Sequence, residues 1–293
     1  MNKKLFKRLG ALSLAAAMSL TLAACGNDEP EADPHEGMAY VNTGANYEWI
    51  YPAEGVPVSD FAEEDFQTNA DGLPEYIGDR YETRLGVDVS FYQGVIDWEA
   101  VAADGVEFAM IRCGYRGSET GDIVVDEQFE NNIQGALDAG LDVGVYFFSQ
   151  STGAIEAAEE ANFVLSLIAD YEITMPVAFD WEPLENSRAE DIDRSELTAS
   201  AVVFCEMVKD AGYTPCVYLY RYIGYYEYMM ERLADYEIWV GALGSWPDFY
   251  YKHSLWQFSM TGRVDGIDAD VDLDYQFIPK PSDTEIAPPT ASV

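Results

Sequence analysis

Two acidic residues with one residue between them are the strongest candidates for catalysis in this sequence. Asp180 and Glu182 lie at the end of an apolar segment that predicts a β-strand over 176–182. Side chains alternate between the faces of a strand, so both carboxylates point the same way, roughly 6.5–7 Å apart. Two like charges at so short a distance in a partly dry cleft push the pKa values of their groups apart, which leaves one acid protonated and the other ionised. A D-x-E pattern is a weak signal by itself among 53 acidic residues, so it needs support from other strands.

Other strands supply that support. Alternation along 85–90 sends Asp88 inward, and alternation along 143–149 places Tyr146 on the inner face. The eighth predicted strand offers three more acids on one face: Asp270, Asp272 and Asp274. Since an unpaired buried carboxylate is costly, this convergence favours a functional site. A calcium or magnesium site is the structured alternative, but no EF-hand-like spacing is present and we predict no metal.

Alternating strand and helix signals position these acids. Five predicted strands are followed by predicted helices, and three strands then follow without a long helix between them. The eight strands are 85–90, 108–115, 143–149, 176–182, 215–220, 237–243, 254–259 and 270–277, and the five helices are about 97–104, 126–140, 154–170, 195–211 and 226–234. Alternating βα units favour a parallel sheet, and eight strands allow closure. We therefore predict an α/β fold, a TIM-like barrel of five β/α units followed by three strands, (β/α)5(β)3, with its site at the carboxyl ends of the strands.

The amino terminus has the features of an exported protein. A basic start and a short apolar run predict a signal peptide over 1–24, and the Leu-Ala-Ala-Cys sequence ending at Cys25 resembles a bacterial lipoprotein box. That resemblance implies lipidation of Cys25 and a membrane contact through this lipid only, while an ordinary secreted protein remains the alternative. The remaining predicted segments are an acidic tether at 25–37, an extension at 38–83 that partly wraps the domain, the barrel at 84–280 and a flexible tail at 281–293.

Composition excludes several kinds of chemistry. The net charge of −37 repels nucleic acid and anionic lipid headgroups, so neither is an expected partner. Only two histidines are present, which leaves little for histidine-based zinc sites or Ser-His-Asp catalysis. Cys113 is expected in the core, and Cys205 and Cys216 are either paired or free. We expect a monomer.

Several segments together resemble the glycoside hydrolase family 25 lysozymes, the Chalaropsis-type muramidases. They occur in the family's order and span about 84–279. They are LGVDVSFYQG at 85–94, IDW at 96–98, FAMIRCGY at 108–115, GLDVGVYFF at 140–148, DWE at 180–182, LWQF at 255–258 and VDLD at 271–274. The resemblance implies the barrel described above, no cofactor, and cleavage of the β-1,4 bond between N-acetylmuramic acid and N-acetylglucosamine in peptidoglycan glycan strands.

The resemblance also implies roles for individual residues. Glu182 would protonate the leaving oxygen, and Asp180 would orient the acetamido group of the muramic sugar, with Asp88 and Asp272 as supporting carboxylates. Substrate-assisted and direct-water routes both remain open. Candidate rings for substrate contact are Tyr115, Tyr146, Tyr218 and Trp256.

Three positions depart from the family's pattern. Phe147 stands where histidine is frequent, no tyrosine follows the sixth-strand tryptophan in 239–243, and Asp274 stands where asparagine is common. The altered sixth strand leaves a non-catalytic, surface-anchored glycan-binding lipoprotein as the alternative function. A lipoprotein receptor would instead require two lobes and a hinge, of which the single series of eight strands gives no sign.

Overall fold

A computed structural model describes residues 33–281. The predicted signal peptide, the Cys25 lipidation site, most of the tether and the tail beyond residue 281 lie outside the described residues. No helix within 33–281 has both the length and the apolar character needed to cross a membrane.

Eight strands close into a barrel, as predicted. Six neighbouring pairs are parallel, and the last strand is antiparallel to both of its neighbours. The barrel strands are β5 (Tyr81–Val89), β6 (Phe108–Arg116), β8 (Asp142–Ser149), β9 (Val177–Trp181), β10 (Pro215–Tyr220), β11 (Glu237–Gly241), β12 (Leu255–Gly262) and β13 (Val271–Pro279), and a short strand, β7 (Ile123–Val125), pairs with the end of β6. Because β13 runs against β5, its first residues lie beside the last residues of β5, at the end of the barrel where the parallel strands finish.

Five helices follow the first five barrel strands, and the predicted (β/α)5(β)3 order is confirmed. They are α1 (Trp98–Ala103), α2 (Phe129–Asp138), α3 (Ala154–Ile168), α4 (Arg194–Asp210) and α5 (Arg221–Tyr226). The Asp97 and Asp193 side chains cap α1 and α4 by accepting hydrogen bonds from the backbone N–H groups of Ala100 and Ser195.

The prediction of the fifth helix at 226–234 is wrong. The helix α5 begins directly after β10 and ends at Tyr226. The Arg194 guanidinium binds the backbone oxygen of Tyr228, and the Thr198 hydroxyl accepts from the Met229 N–H at 3.0 Å. These bonds to α4 fix the backbone in a non-helical path, so only a 3₁₀ turn forms at 230–232.

Side-chain alternation divides the core into two layers. On β9, Val177, Phe179 and Trp181 pack beneath the helices, whereas Ala178 packs inside the barrel beside Trp239. This confirms the predicted facing of the strand, and it leaves the next two inward positions to Asp180 and Glu182. Apolar side chains therefore fill the lower barrel, and the acids lie above them.

The segment before the barrel forms two hairpins, β1 (Ala39–Asn42) with β2 (Tyr47–Ile50), and β3 (Phe66–Thr68) with β4 (Pro74–Tyr76). Aromatic side chains attach it to the last barrel strands. The ring centroids of Phe61 and Phe277 are 4.4 Å apart, and those of Phe66 and Trp256 are 5.7 Å apart. Residues 38–83 thereby extend the hydrophobic core of the barrel.

The cysteines of the described residues are unpaired and buried. The Cys205 thiol donates to the backbone oxygen of Cys216 at 3.7 Å, and Cys113 lies in the core as expected. The question left open by the sequence is thus resolved in favour of free thiols.

Candidate active site

The structure brings the four predicted acids together in one cavity of about 360 Å³. Asp180 and Glu182 come from the end of β9, Asp88 from the end of β5 and Asp272 from the start of β13. Asp88 and Asp272 are directly paired across the antiparallel strands β5 and β13. The residues that line the cavity are Asp88, Ser90, Tyr92, Gln93, Arg112, Tyr146, Phe148, Asp180, Glu182, Leu184, Tyr218, Tyr220, Trp239, Gln257 and Asp272.

Asp180 lies deep in the cavity, with 3% of its surface exposed. Burial raises its pKa well above the usual range, and the charges of Glu182 and Asp88 raise it further, while Arg112 opposes this shift. Within residues 33–281, no group forms a hydrogen bond with the buried Oδ1 atom of Asp180. An oxygen of this kind is available to accept a hydrogen bond from a ligand.

Glu182 is half-buried at the upper edge of the cavity. Burial, together with the negative charge of Asp272, raises the pKa of Glu182 to about 7. The Gln150 amide donates to the backbone oxygen of Glu182 at 2.9 Å and fixes the chain where β9 ends. A carboxyl with this pKa, held in place and partly accessible, is suited to act as a general acid near neutral pH.

Gln257 connects the other two acids. Its Nε2 atom donates to Asp88 at 2.8 Å and to Asp272 at 3.3 Å, and its Oε1 atom accepts from the Tyr218 hydroxyl at 2.7 Å. Burial and the charge of Asp272 raise the pKa of Asp88 to about 8, and burial raises the pKa of Asp272 to about 6. The two paired carboxyls therefore titrate near neutral pH.

The other two acids predicted on the eighth strand lie outside the cavity lining. Asp274 is fully buried, and its Oδ1 atom accepts from the Trp239 indole at 2.7 Å. Burial and the charge of Asp88 raise the pKa of Asp274 well above its usual range. Asp270 precedes β13, is exposed and pairs with Arg263, so its predicted place among the inward acids is wrong. The strand begins one residue later, and Asp270 belongs to the preceding loop.

Of the four predicted substrate-contact rings, Tyr146 and Tyr218 line the cavity, and Trp256 and Tyr115 do not. Trp256 has no exposed surface, and its indole donates to the backbone oxygen of Ala242 at 2.7 Å. It points outward because Gln257, the next residue of β12, points inward. Tyr115 is half-buried, and the centroid of its ring lies 5.5 Å from the Arg112 guanidinium. It follows a bulge in β6.

Sequence reasoning missed several lining residues that strand alternation indicates. Tyr220 lies two residues after Tyr218, and Gln257 lies two residues after the inward Leu255. Arg112 is the only cation among the lining residues, and its Nε atom binds the buried Asp126 carboxylate at 2.7 Å. Tyr92 carried no such signal, because it follows the strand in a 3₁₀ turn.

Gly241 explains how the departure in the sixth strand is accommodated. A Cβ atom at this position would lie 2.8 Å from Cδ1 of Tyr220 and 2.9 Å from the Tyr218 hydroxyl. The two tyrosines of β10 therefore occupy the space beside the end of β11, and an aromatic wall is retained although the expected tyrosine is missing. Among the described residues, no group of three or more His, Cys, Asp and Glu side chains is arranged to hold a metal ion.

Comparisons with known proteins show which family the sequence resembles. Residues 87–267 match the sequence model of the glycosyl hydrolases family 25. The autolytic lysozyme of Clostridium acetobutylicum is 26% identical over 190 residues, covering 64% of this chain and 54% of the relative, so the chain spans about half of that protein's length. Lysozyme M1 of Streptomyces globisporus is 26% identical over 281 residues, covering 90% of this chain and 87% of the relative.

Solved structures share the fold. A family 25 glycosyl hydrolase from Bacillus anthracis is 25% identical with a TM-score of 0.54, covering 68% of this chain and 90% of that one. The modular autolysin LytC from Streptococcus pneumoniae is 22% identical with a TM-score of 0.60, covering 73% of this chain and 52% of that one.

Proposed function

Because the chain belongs to glycosyl hydrolase family 25, we propose that it is an N-acetylmuramidase that cleaves the β-1,4 bond between N-acetylmuramic acid and N-acetylglucosamine in peptidoglycan. The observation that carries this proposal is the meeting of Asp180 and Glu182 with Asp88 and Asp272 in one cavity at the carboxyl ends of the barrel strands. The lysozymes among its relatives support the same activity.

In this mechanism Glu182 is the general acid. Its pKa of about 7 leaves it mostly protonated in mildly acidic solution and about half protonated at neutral pH, so it can transfer its proton to the glycosidic oxygen as the bond from C1 to that oxygen breaks. The ionised Glu182 then takes a proton from the water that supplies the new hydroxyl at C1. The carboxyl is thereby restored for the next cycle.

Asp180 binds the acetamido group beside the bond that is cut. Its unpaired, buried Oδ1 atom accepts from the acetamido N–H. That hydrogen bond favours the ionised form of Asp180, and so does Arg112. Asp180 thereby turns the acetamido carbonyl oxygen toward C1, which suits a substrate-assisted route. A water that attacks C1 directly is the other route, and the anomer of the first product distinguishes them.

Digestion of purified peptidoglycan tests the activity. We expect new reducing ends on N-acetylmuramic acid, identified by mass after borohydride reduction. Glu182→Gln abolishes the cleavage and leaves the fold and glycan binding intact, whereas Glu185→Gln, a change of an exposed acid just beyond the cavity, has little effect. Undiminished cleavage by Glu182→Gln would remove this residue from the acid role, and saccharide binding without any turnover by the parent chain would favour the binding-lipoprotein alternative.

We further infer that the protein works outside the cell as a monomer held to the membrane by lipid on Cys25. The basic residues and apolar run at the amino terminus, followed directly by Cys25, support this inference. Cys25→Ser is expected to move the protein from the membrane fraction to the medium, and retention of the variant in membranes would contradict the anchor.

A further inference from the structure

The first hairpin of the chain presents three aromatic rings to solvent on one face. In the register of β1 and β2, Tyr40 lies opposite Trp49 and Asn42 lies opposite Tyr47, so these four side chains share a face. Tyr40, Tyr47 and Trp49 are exposed by 58%, 57% and 44%. The centroid of the Tyr40 ring is 5.5 Å from that of Tyr47 and 5.1 Å from that of Trp49, which makes one continuous surface.

The opposite face of the hairpin holds it on the barrel. Val41 is buried in the core, Ile50 packs against that core, and Glu48 accepts a hydrogen bond from the Tyr226 hydroxyl. The side chains of this face therefore attach the hairpin to the barrel. A contiguous exposed aromatic cluster with polar residues at its edge is a feature of binding surfaces.

The hairpin lies at the same end of the barrel as the catalytic cavity. Asn42 donates to Asp248 at 2.6 Å, and Asp248 forms an ion pair with Arg221. Arg221 directly follows Tyr220, which lines the cavity, and it also donates to the backbone oxygen of Leu243, just beyond β11. The aromatic surface is thus tied to the rim of the cavity where β10 and β11 end.

A groove of about 300 Å³ is lined by two of the three rings. Besides Tyr40 and Tyr47, its walls include Trp246 and the polar side chains of Asn42, Ser59 and Asp248. Rings that offer flat apolar faces next to hydroxyl, amide and carboxylate groups match a sugar, which has an apolar face of C–H groups and a polar edge of hydroxyls.

We propose that the face formed by Tyr40, Tyr47 and Trp49 is a second glycan-binding surface, which holds the polysaccharide strand where it leaves the catalytic cavity. The proposal rests on the proposed function for the identity of that strand, an N-acetylhexosamine polymer. These rings lie outside the matched family segment at 87–267, so the match to the family model does not account for this surface. Because surface and cavity belong to one folded unit, a long strand can contact both and gains affinity that a short fragment cannot.

The test compares long and short glycans in the full chain carrying Cys25→Ser and Glu182→Gln. The double change Tyr40→Ser and Trp49→Ser is expected to weaken binding of solubilised long glycan strands by about tenfold or more. Binding of a short N-acetylhexosamine oligomer that fits the cavity stays within about twofold of the parent. Ile155→Ser, which removes a side chain with 80% exposure on α3, is the matched control and changes neither affinity. Thermal unfolding and cleavage of a short soluble fragment, with Glu182 restored, check that the hairpin variant is folded.

Equal strand affinity in the parent and the hairpin variant would overturn the proposal. A hairpin-dependent binding to vesicles of phosphatidylcholine and phosphatidylglycerol, with strand binding unchanged, would also overturn it and assign the rings to a membrane surface. Failure of the proposed function gives a different result, since the restored Glu182 protein would then cleave neither long nor short glycans while its ring-dependent strand binding remained measurable.

Discussion

The Trp239 indole donates a hydrogen bond to Oδ1 of Asp274 at 2.7 Å, beneath the floor of the cavity. The Oδ2 atom of Asp274 is buried and has no hydrogen-bond partner in the described part of the chain. Burial and the charge of Asp88 raise the pKa of Asp274 well above its usual range, which favours the protonated carboxyl.

Asp274→Asn tests this arrangement, because its amide oxygen can accept from the Trp239 indole while the side chain stays neutral at every pH. Keeping Asp274 protonated costs more free energy as the pH rises above the ordinary pKa of an aspartate. The variant should therefore unfold at a higher temperature than the parent at pH 9, and this difference should shrink steadily as the pH falls toward about 4. Asp274→Leu, which leaves the buried indole unpaired, should be less stable than Asp274→Asn by roughly 1–3 kcal/mol at every pH. A constant difference between Asp274→Asn and the parent across this range would show that Asp274 is ionised.

The rate of peptidoglycan cleavage should fall as the pH rises through about 7, because Glu182 then loses the proton that it must donate. The charge of Asp272 contributes to this raised pKa. Asp272→Asn should consequently move the alkaline limb of the rate profile to lower pH, and Asp270→Asn, which alters an exposed acid outside the cavity, should leave it in place. Profiles of kcat/KM against pH measure this shift. Alkaline limbs at the same pH for Asp272→Asn and the parent would show that Asp272 does not raise the pKa of Glu182.

Gly241→Ala should reduce activity more than any change at a glycine with open space around it. The added methyl group would displace the Tyr218 hydroxyl or the Tyr220 ring from the cavity wall, and a displacement of about 1 Å near reacting groups can cost about 100-fold in rate. We therefore expect the cleavage rate to fall by about tenfold or more. Gly153→Ala is the control, since its new Cβ meets only ordinary contacts. Full activity in Gly241→Ala would show that the two tyrosines do not shape the site.

Trp256→Phe should instead lower stability and leave turnover nearly unchanged. The change removes a buried hydrogen bond to Ala242 and part of a packed ring, which should lower the free energy of unfolding by roughly 1–3 kcal/mol. Turnover at 25 °C should stay close to that of the parent, because Trp256 does not line the cavity. Chemical denaturation and initial rates provide the two measurements, and a loss of turnover in a fully folded variant would return Trp256 to the site.

Stability should decrease between about pH 4.5 and pH 8. Burial raises the pKa of Asp88 to about 8, of Glu182 and Glu160 to about 7 and of Asp272 to about 6, whereas the unfolded values are 3.8 for aspartate and 4.5 for glutamate. The folded state therefore binds more protons in this window, and its stability is lost as the pH rises through it. Thermal unfolding should show a falling midpoint, and Glu182→Gln should flatten the part of the curve between about pH 4.5 and pH 7. A rising midpoint would contradict the predicted direction.

Regular alternation made much of the site predictable from sequence. The inward facing of Asp88, Asp180 and Glu182 follows from the pleat of a strand, and the order of the elements follows from the repeating strand and helix signals. Alternation also indicated Gln257 rather than Trp256. Tertiary contacts decided what local patterns could not, such as the end of α5, which the hydrogen bond from Arg194 to Tyr228 fixes, and the burial of Asp274 against the Trp239 indole.

The first and last strands of the barrel are neighbours, so the cavity cannot be complete until the end of the barrel has been synthesised. Asp88 is made early in synthesis, while Asp272 and Asp274 are added only near its end. A nascent copy, or one cleaved before β13, lacks the strand that pairs with β5 and the Asp272 carboxyl that lies beside Asp88. The complete acid cluster therefore forms only after the whole barrel has been made and closed.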